Sequence, residues 1–172
     1  MNADPIVNRV EASGLITIDI EEKLNKESNA EIDLKEALFQ GVILREKDFR
    51  QFVKEHDWEC YVGKNVLLTC TADAIIPSWA YMLIVSKLEG IARVVAVGEQ
   101  IELEKAMIDH ALQELDLDAL EGRKVVIKGC GNLESRDYYY VAITRKLVPV
   151  VSSIMYGEPC STVPVFRRRV KK

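Results

Sequence analysis

Asn65-Val66-Leu67-Leu68-Thr69-Cys70, then Pro77 to Leu88, then Arg93-Val94-Val95-Ala96-Val97-Gly98: this stretch decides the fold. The first six residues are a short uncharged run, mostly apolar, as expected of a strand buried on both faces. Pro77 suits the first turn of a helix, and Gly90 follows the end of the apolar segment it opens. Arg93 to Val97 is a β-branched run closed by Gly98. The alternation continues downstream. Glu102 to Leu117 sets Leu103, Met107, Ile108, Ala111, Leu112 and Leu115 on one side of a helix. Lys124 to Lys128 is a strand ending in Gly129-Cys130-Gly131, and Ser135 can cap a helix through Leu147 that stops near Pro149. Strand, helix, strand, helix, strand, helix predicts an α/β fold with a mostly parallel sheet covered by helices.

Upstream, Leu15 to Ile20 reads as a strand and the polar Glu21 to Ala30 as a loop. Asp33 and Glu36 have capping-box spacing, which predicts a helix ending at Gly41. Arg45 to His56 puts Phe49, Phe52, Val53 and His56 on one helical face. At the other end, Val150 to Met155 and Val163 to Phe166 are extended pieces joined by Gly157-Glu158-Pro159, a hairpin-like segment. No repeat or linker interrupts the chain. It reads as one α/β domain over residues 1–166 with a basic, solvated tail over 167–172. The Pro77 to Leu88 helix is apolar almost all round, which predicts burial on more than one side, under further helices or a second subunit of a homo-oligomer. Tyr138, Tyr139 and Tyr140 cover more than one helix face, so at least one is exposed.

With 172 residues, 48% apolar and 29% charged, the chain is neither disordered nor fibrous. Basic residues number 23 against 27 acidic ones, and five of the basic residues lie in the last six positions, where no acid lies. The remaining body is therefore strongly acidic, which argues against nucleic acid as a partner. No run approaches the ~20 predominantly apolar residues of a membrane span. No basic segment followed by an apolar one opens the chain, so the expected address is cytoplasmic.

In a reducing compartment four cysteines are thiols or metal ligands rather than a disulfide framework. Cys60 reads as a small core hydrophobe. Cys70 and Cys130 each close a predicted strand, flanked by Thr, Asp and Gly. Ligands of open α/β sheets bind outside the carboxyl ends of strands. If the strands are parallel members of one sheet, both thiols emerge at one edge. Cys160, in the turn Gly-Glu-Pro-Cys-Ser-Thr, can reach it. Three thiolates suit zinc or an iron–sulfur cluster and leave one position for water, a small-molecule ligand or a protein group. Candidates for that position, or for acid–base work, are His56, Asp73 and Glu158, with His110 expected to face solvent. Two alternatives stay open: a metal-free enzyme with Cys70 or Cys130 as nucleophile, and a non-catalytic binding or assembly module. No CxxC pair, P-loop, Gly-x-Gly-x-x-Gly after a strand or Gly-x-Ser-x-Gly elbow is present.

Three strings carry a resemblance: Thr69-Cys70-Thr71-Ala72-Asp73-Ala74-Ile75-Ile76-Pro77-Ser78-Trp79-Ala80-Tyr81-Met82-Leu83, Lys128-Gly129-Cys130, and Tyr156-Gly157-Glu158-Pro159-Cys160-Ser161-Thr162-Val163-Pro164. With Leu44 to Arg50 and His56-Asp57-Trp58, they resemble an uncharacterised bacterial family, a domain of unknown function. Gly131 stands where that family often has Ser. The resemblance marks Cys70, Cys130 and Cys160 as motif residues, leaves Cys60 outside the motifs, and implies no reaction.

Overall fold

A computed structural model describes residues 14–24, 28–129, 131–158 and 160–169. The elements run β1 (Leu15–Ile18), β2 (Asn29–Asp33), α1 (Glu46–Glu55), β3 (Asn65–Thr69), α2 (Ser78–Leu88), β4 (Val94–Val97), α3 (Gln100–Gln113), α4 (Leu117–Leu120), β5 (Lys124–Ile127), α5 (Arg136–Leu147), β6 (Ser153–Glu158) and β7 (Ser161–Arg167). The α/β class, the mostly parallel strands and the C-terminal antiparallel pair are as expected. The strands, however, divide between two sheets, with orders β2-β3-β4 and β1-β5-β6-β7. Apolar alternation reports that strands exist; it carries no information on which strands are neighbours.

Two compact units make up the chain: Asn25–His110 is one, and Met1–Leu24 with Ala111–Lys172 is the other. In the first, β2, β3 and β4 are all parallel, with Leu68 level with Ile32 on one side and Val97 on the other. β3 is central, and Asn65, Val66, Leu67 and Leu68 are all buried. Burying one such aliphatic side chain contributes about 2 kcal/mol. Phe49 and Val53 of α1 meet Ala80, Ile84 and Leu88 of α2 in the same core. Trp79 packs edge-on against Phe49, with ring centroids 5.5 Å apart.

Two expectations fail in this unit. Glu21 to Ala30 is not all loop, because β2 begins within it. Asp33 caps only a short 3-10 turn, Leu34–Ala37, by accepting from the Lys35 N–H at 2.9 Å. The chain then turns back at Gln40 and Gly41, both at positive φ, and Phe39 bridges Ile43. Two successive left-handed residues end any helix. Within the single chain, α2 is buried on one side. Ala80, Ile84 and Leu88 face inward at helical spacing, while Met82 is 70% exposed on the outer face.

In the second unit β1, β5 and β6 are parallel and β7 returns antiparallel to β6. Val125, Val126 and Ile127 are buried in the middle of this sheet, with Ile143 and Leu147 of α5 also buried. Tyr139 is fully buried and Tyr138 is exposed, as the run of three tyrosines required. The basic segment starts inside the fold. Arg167 is level with Ser153, and the Arg168 guanidinium donates to the carbonyls of Val148 and Pro149, beyond the last turn of α5. A cation there complements the negative end of the helix.

Candidate functional site

Parallel pairing fixes what gathers at the carboxyl edge of the four-stranded sheet. Ile18 is level with Ile127, and Ile127 with Tyr156. Asp19 and Lys128, which follow, therefore leave adjacent strands side by side, next to Gly157 and Glu158 at the end of β6. Lys128 Nζ donates to Asp19 Oδ2 at 2.7 Å. Asp19 Oδ1 accepts from the Glu21 N–H at 3.0 Å, and Glu21 Oε1 accepts from the Asn132 N–H at 3.1 Å. The hydrogen bond to Asp19 and the charge of that carboxylate, reinforced by Glu158 and Glu22, hold the Lys128 ammonium above its ordinary pKa despite some desolvation.

Tyr156 closes over the start of the Lys-Gly-Cys segment. Its hydroxyl lies 3.5 Å from where a Cβ on Gly129 would sit. Tyr140 supports its ring edge-on, with centroids 5.2 Å apart. Gly157 has φ +119°, and a Cβ there would lie 2.6 Å from the Ser161 carbonyl oxygen, so only glycine fits. That glycine brings Glu158 opposite Ser161, which makes Cys160 an exposed residue of the hairpin turn.

The three-stranded sheet has its own carboxyl edge. Cys70 follows β3, half-buried, with its thiol donating weakly to the Ala72 carbonyl at 3.6 Å. Burial, and the nearby Cys70, push the Tyr81 phenol above its ordinary pKa. The Asp33 carboxylate accepts from both the N–H and the hydroxyl of Thr71. Asp73 is exposed. At the end of β4 the Gly98 N–H donates to the Leu68 carbonyl at 3.1 Å.

His56 is in this unit, among rings rather than among ligands. Its Nε2 is 2.9 Å from the Tyr61 hydroxyl, and the two rings stack at 7°. Trp58 lies against it with centroids 4.6 Å apart. His110 is half-buried rather than facing solvent. Cys60 is not in the core; it is exposed, and its thiol donates to the Asp57 carbonyl at 3.1 Å.

The expected meeting of Cys70, Cys130 and Cys160 rested on one shared sheet edge. Cys130 lies outside the described residues. β3, which leads to Cys70, belongs to one sheet, and β5, which leads to Gly129, to the other. Among the described residues no three His, Cys, Asp or Glu side chains are grouped as a metal would require. The segments that do share an edge are Lys128-Gly129 and Tyr156-Gly157-Glu158. Asp19 escaped the sequence reading, and Lys128 entered it only as a motif residue. The available signal was their position, each directly after an apolar strand. Their pairing needed β1 to lie beside β5, 109 residues away.

The chain matches a family model described as "Protein of unknown function (DUF2480)" over residues 4–168. Neither the curated proteins nor the solved structures yield a match. Among the described residues no helix is long and apolar enough to cross a membrane.

Proposed function

The chain belongs to this family of unknown function, and we propose that it holds zinc or an iron–sulfur cluster at a thiolate site on the carboxyl edge of the four-stranded sheet. Cys130 and Cys160 are the ligands this reading starts from; Cys70, the third thiol of the expected set, follows β3 of the other sheet. One observation supports it most. β5 and β6 are parallel neighbours in register at Ile127 and Tyr156, and in sequence Cys130 and Cys160 follow these two residues closely. Soft thiolates select zinc and iron–sulfur clusters over hard cations. Glu158, at the end of β6, is the nearest carboxylate in sequence; His56 is the weaker candidate, because Tyr61 already occupies its Nε2. Lys128 offsets part of the negative charge that thiolates would concentrate there. An open coordination position would allow Lewis-acid chemistry on a small molecule.

The experiment is metal and acid-labile sulfide per chain, measured on full-length protein purified without air or chelator. The reading expects near-stoichiometric zinc or iron, lost in Cys130→Ser and Cys160→Ser and kept in Cys60→Ser. Cys70→Ser decides whether the third thiol belongs. Metal-free wild-type protein, or full occupancy in both Cys130→Ser and Cys160→Ser, overturns it. Rapid alkylation of a single cysteine in metal-free protein would move the assignment to a thiol nucleophile.

A further inference from the structure

The unit that holds the four-stranded sheet also carries a groove, of about 470 Å³, along the outer side of β1, the edge strand of that sheet. Ile16, Ile18, Leu115 and Leu120 give it an apolar lining, and Ile18 and Leu120 are otherwise buried. Its charged groups are Asp19, Glu22 and Asp116 against Lys23. Lys128 already matches Asp19. Glu22 and Asp116 against Lys23 leave one negative charge unmatched. Asp116 is fixed in place, since its carboxylate accepts from the Ala119 N–H at 3.1 Å and caps α4.

The volume falls in the range of small-molecule sites, ~300–1,000 Å³. An added β-strand is the poorer occupant. β1 offers only four residues, Leu15 among them is already engaged, and strands usually run ~5–6 residues. We propose that this groove binds a small organic monocation, an ammonium group on an apolar body. The body lies against Ile16, Ile18, Leu115 and Leu120, and the ammonium meets the acidic rim of Glu22 and Asp116. An anion of the same size would gain the apolar contact and lose against the rim.

The test is a titration of the full chain with 4-phenylbutylammonium, with 4-phenylbutyrate as the probe of equal size and opposite charge. Methyl signals of Ile16, Ile18 and Leu120 report it by NMR. Saturable shifts with the ammonium and none with the carboxylate are expected. Glu22→Gln, at an exposed position, should weaken binding about threefold at low salt. Ala119→Phe, also exposed, should fill the groove and abolish binding with an unchanged circular dichroism spectrum. Equal binding of both probes, binding that survives Ala119→Phe, or no binding overturns the proposal. Binding of a lysine-bearing extended peptide without binding of the ammonium also overturns it, in favour of strand addition.

Discussion

The Asp33 carboxylate ties together the ends of two parallel strands: it caps the turn after β2 and accepts from the N–H and the hydroxyl of Thr71, just beyond β3. Thr71 and Lys35 thus converge on one anion. Slight burial pushes the Asp33 pKa up, but the bonds from the Thr71 hydroxyl and from the two N–H groups outweigh it and hold the carboxyl below its ordinary value. A carboxyl depressed in the folded state contributes stability that is present above its unfolded pKa of about 3.9 and is lost as pH falls through the folded value. Asp33→Ala should cost about 1 kcal/mol at pH 7, the usual loss for a cap. Asp33→Asn should flatten the stability profile below about pH 4. Urea unfolding at pH 7 and at pH 3 checks both; an identical acid profile for Asp33→Asn and wild type would refute the assignment.

Tyr61 gives a signal at the other end of the pH scale. Burial, aided by the adjacent Cys60, pushes its phenol up to about 12. The sign is that of an acid kept neutral by folding: its contribution is present below the unfolded pKa near 10 and lost as pH rises toward 12. In an absorbance titration of native protein, Tyr61 should ionise late, as Tyr81 should too, and Tyr61→Phe should lower the amplitude of the late phase without abolishing it.

The core beneath α2 and the exposed face of α2 should respond unequally to substitution. Phe49 is fully buried and packs against Phe52 and Trp79. Phe49→Ala should cost about 3–5 kcal/mol by leaving a cavity. Met82→Gln, on the exposed face, should change stability by less than about 0.5 kcal/mol. Thermal unfolding of the two variants side by side is the measurement.

Gly157 is the most constrained point of the β6–β7 hairpin. A methyl group at Gly157 would meet the Ser161 carbonyl oxygen, while at Gly131 it would meet nothing within 4 Å. Gly157→Ala should cost about 1–3 kcal/mol, and Gly131→Ala should be nearly neutral. If the thiolate reading holds, Gly157→Ala should also lose metal, because it displaces the turn carrying Cys160.

Legibility in the sequence followed the range of the physics involved. β3, α2, β4, β5 and α5 were readable because their patterns are local: apolar runs for the strands, helical spacing, proline and glycine at the ends. Asp33 shows the limit. Its spacing to Glu36 matched a helix cap, but the carboxylate serves a short turn and a residue 38 positions away, and no local pattern reports that. Likewise, Cys70 and Cys130 looked alike as strand-end thiols because the division of strands between two sheets is a tertiary fact. Lys128 was visible as part of a motif; its partner Asp19 was not.

The pairing of β1 with β5 also sets an order of events. β1 leaves the ribosome 109 residues ahead of Lys124, its first partner. At ~5–20 residues per second that is a wait of roughly 5–20 s. The strands of Asn25–His110 follow one another directly, so that unit can complete its own core meanwhile. For that interval Leu15-Ile16-Thr17-Ile18 is a short apolar β-former that β5 has not yet joined, the kind of segment that aggregates. Asp19, Glu21 and Glu22 follow it at once. Charges set beside such a segment act as gatekeepers against self-association, so these three acids protect the nascent chain before Asp19 and Glu21 take up their places in the folded edge.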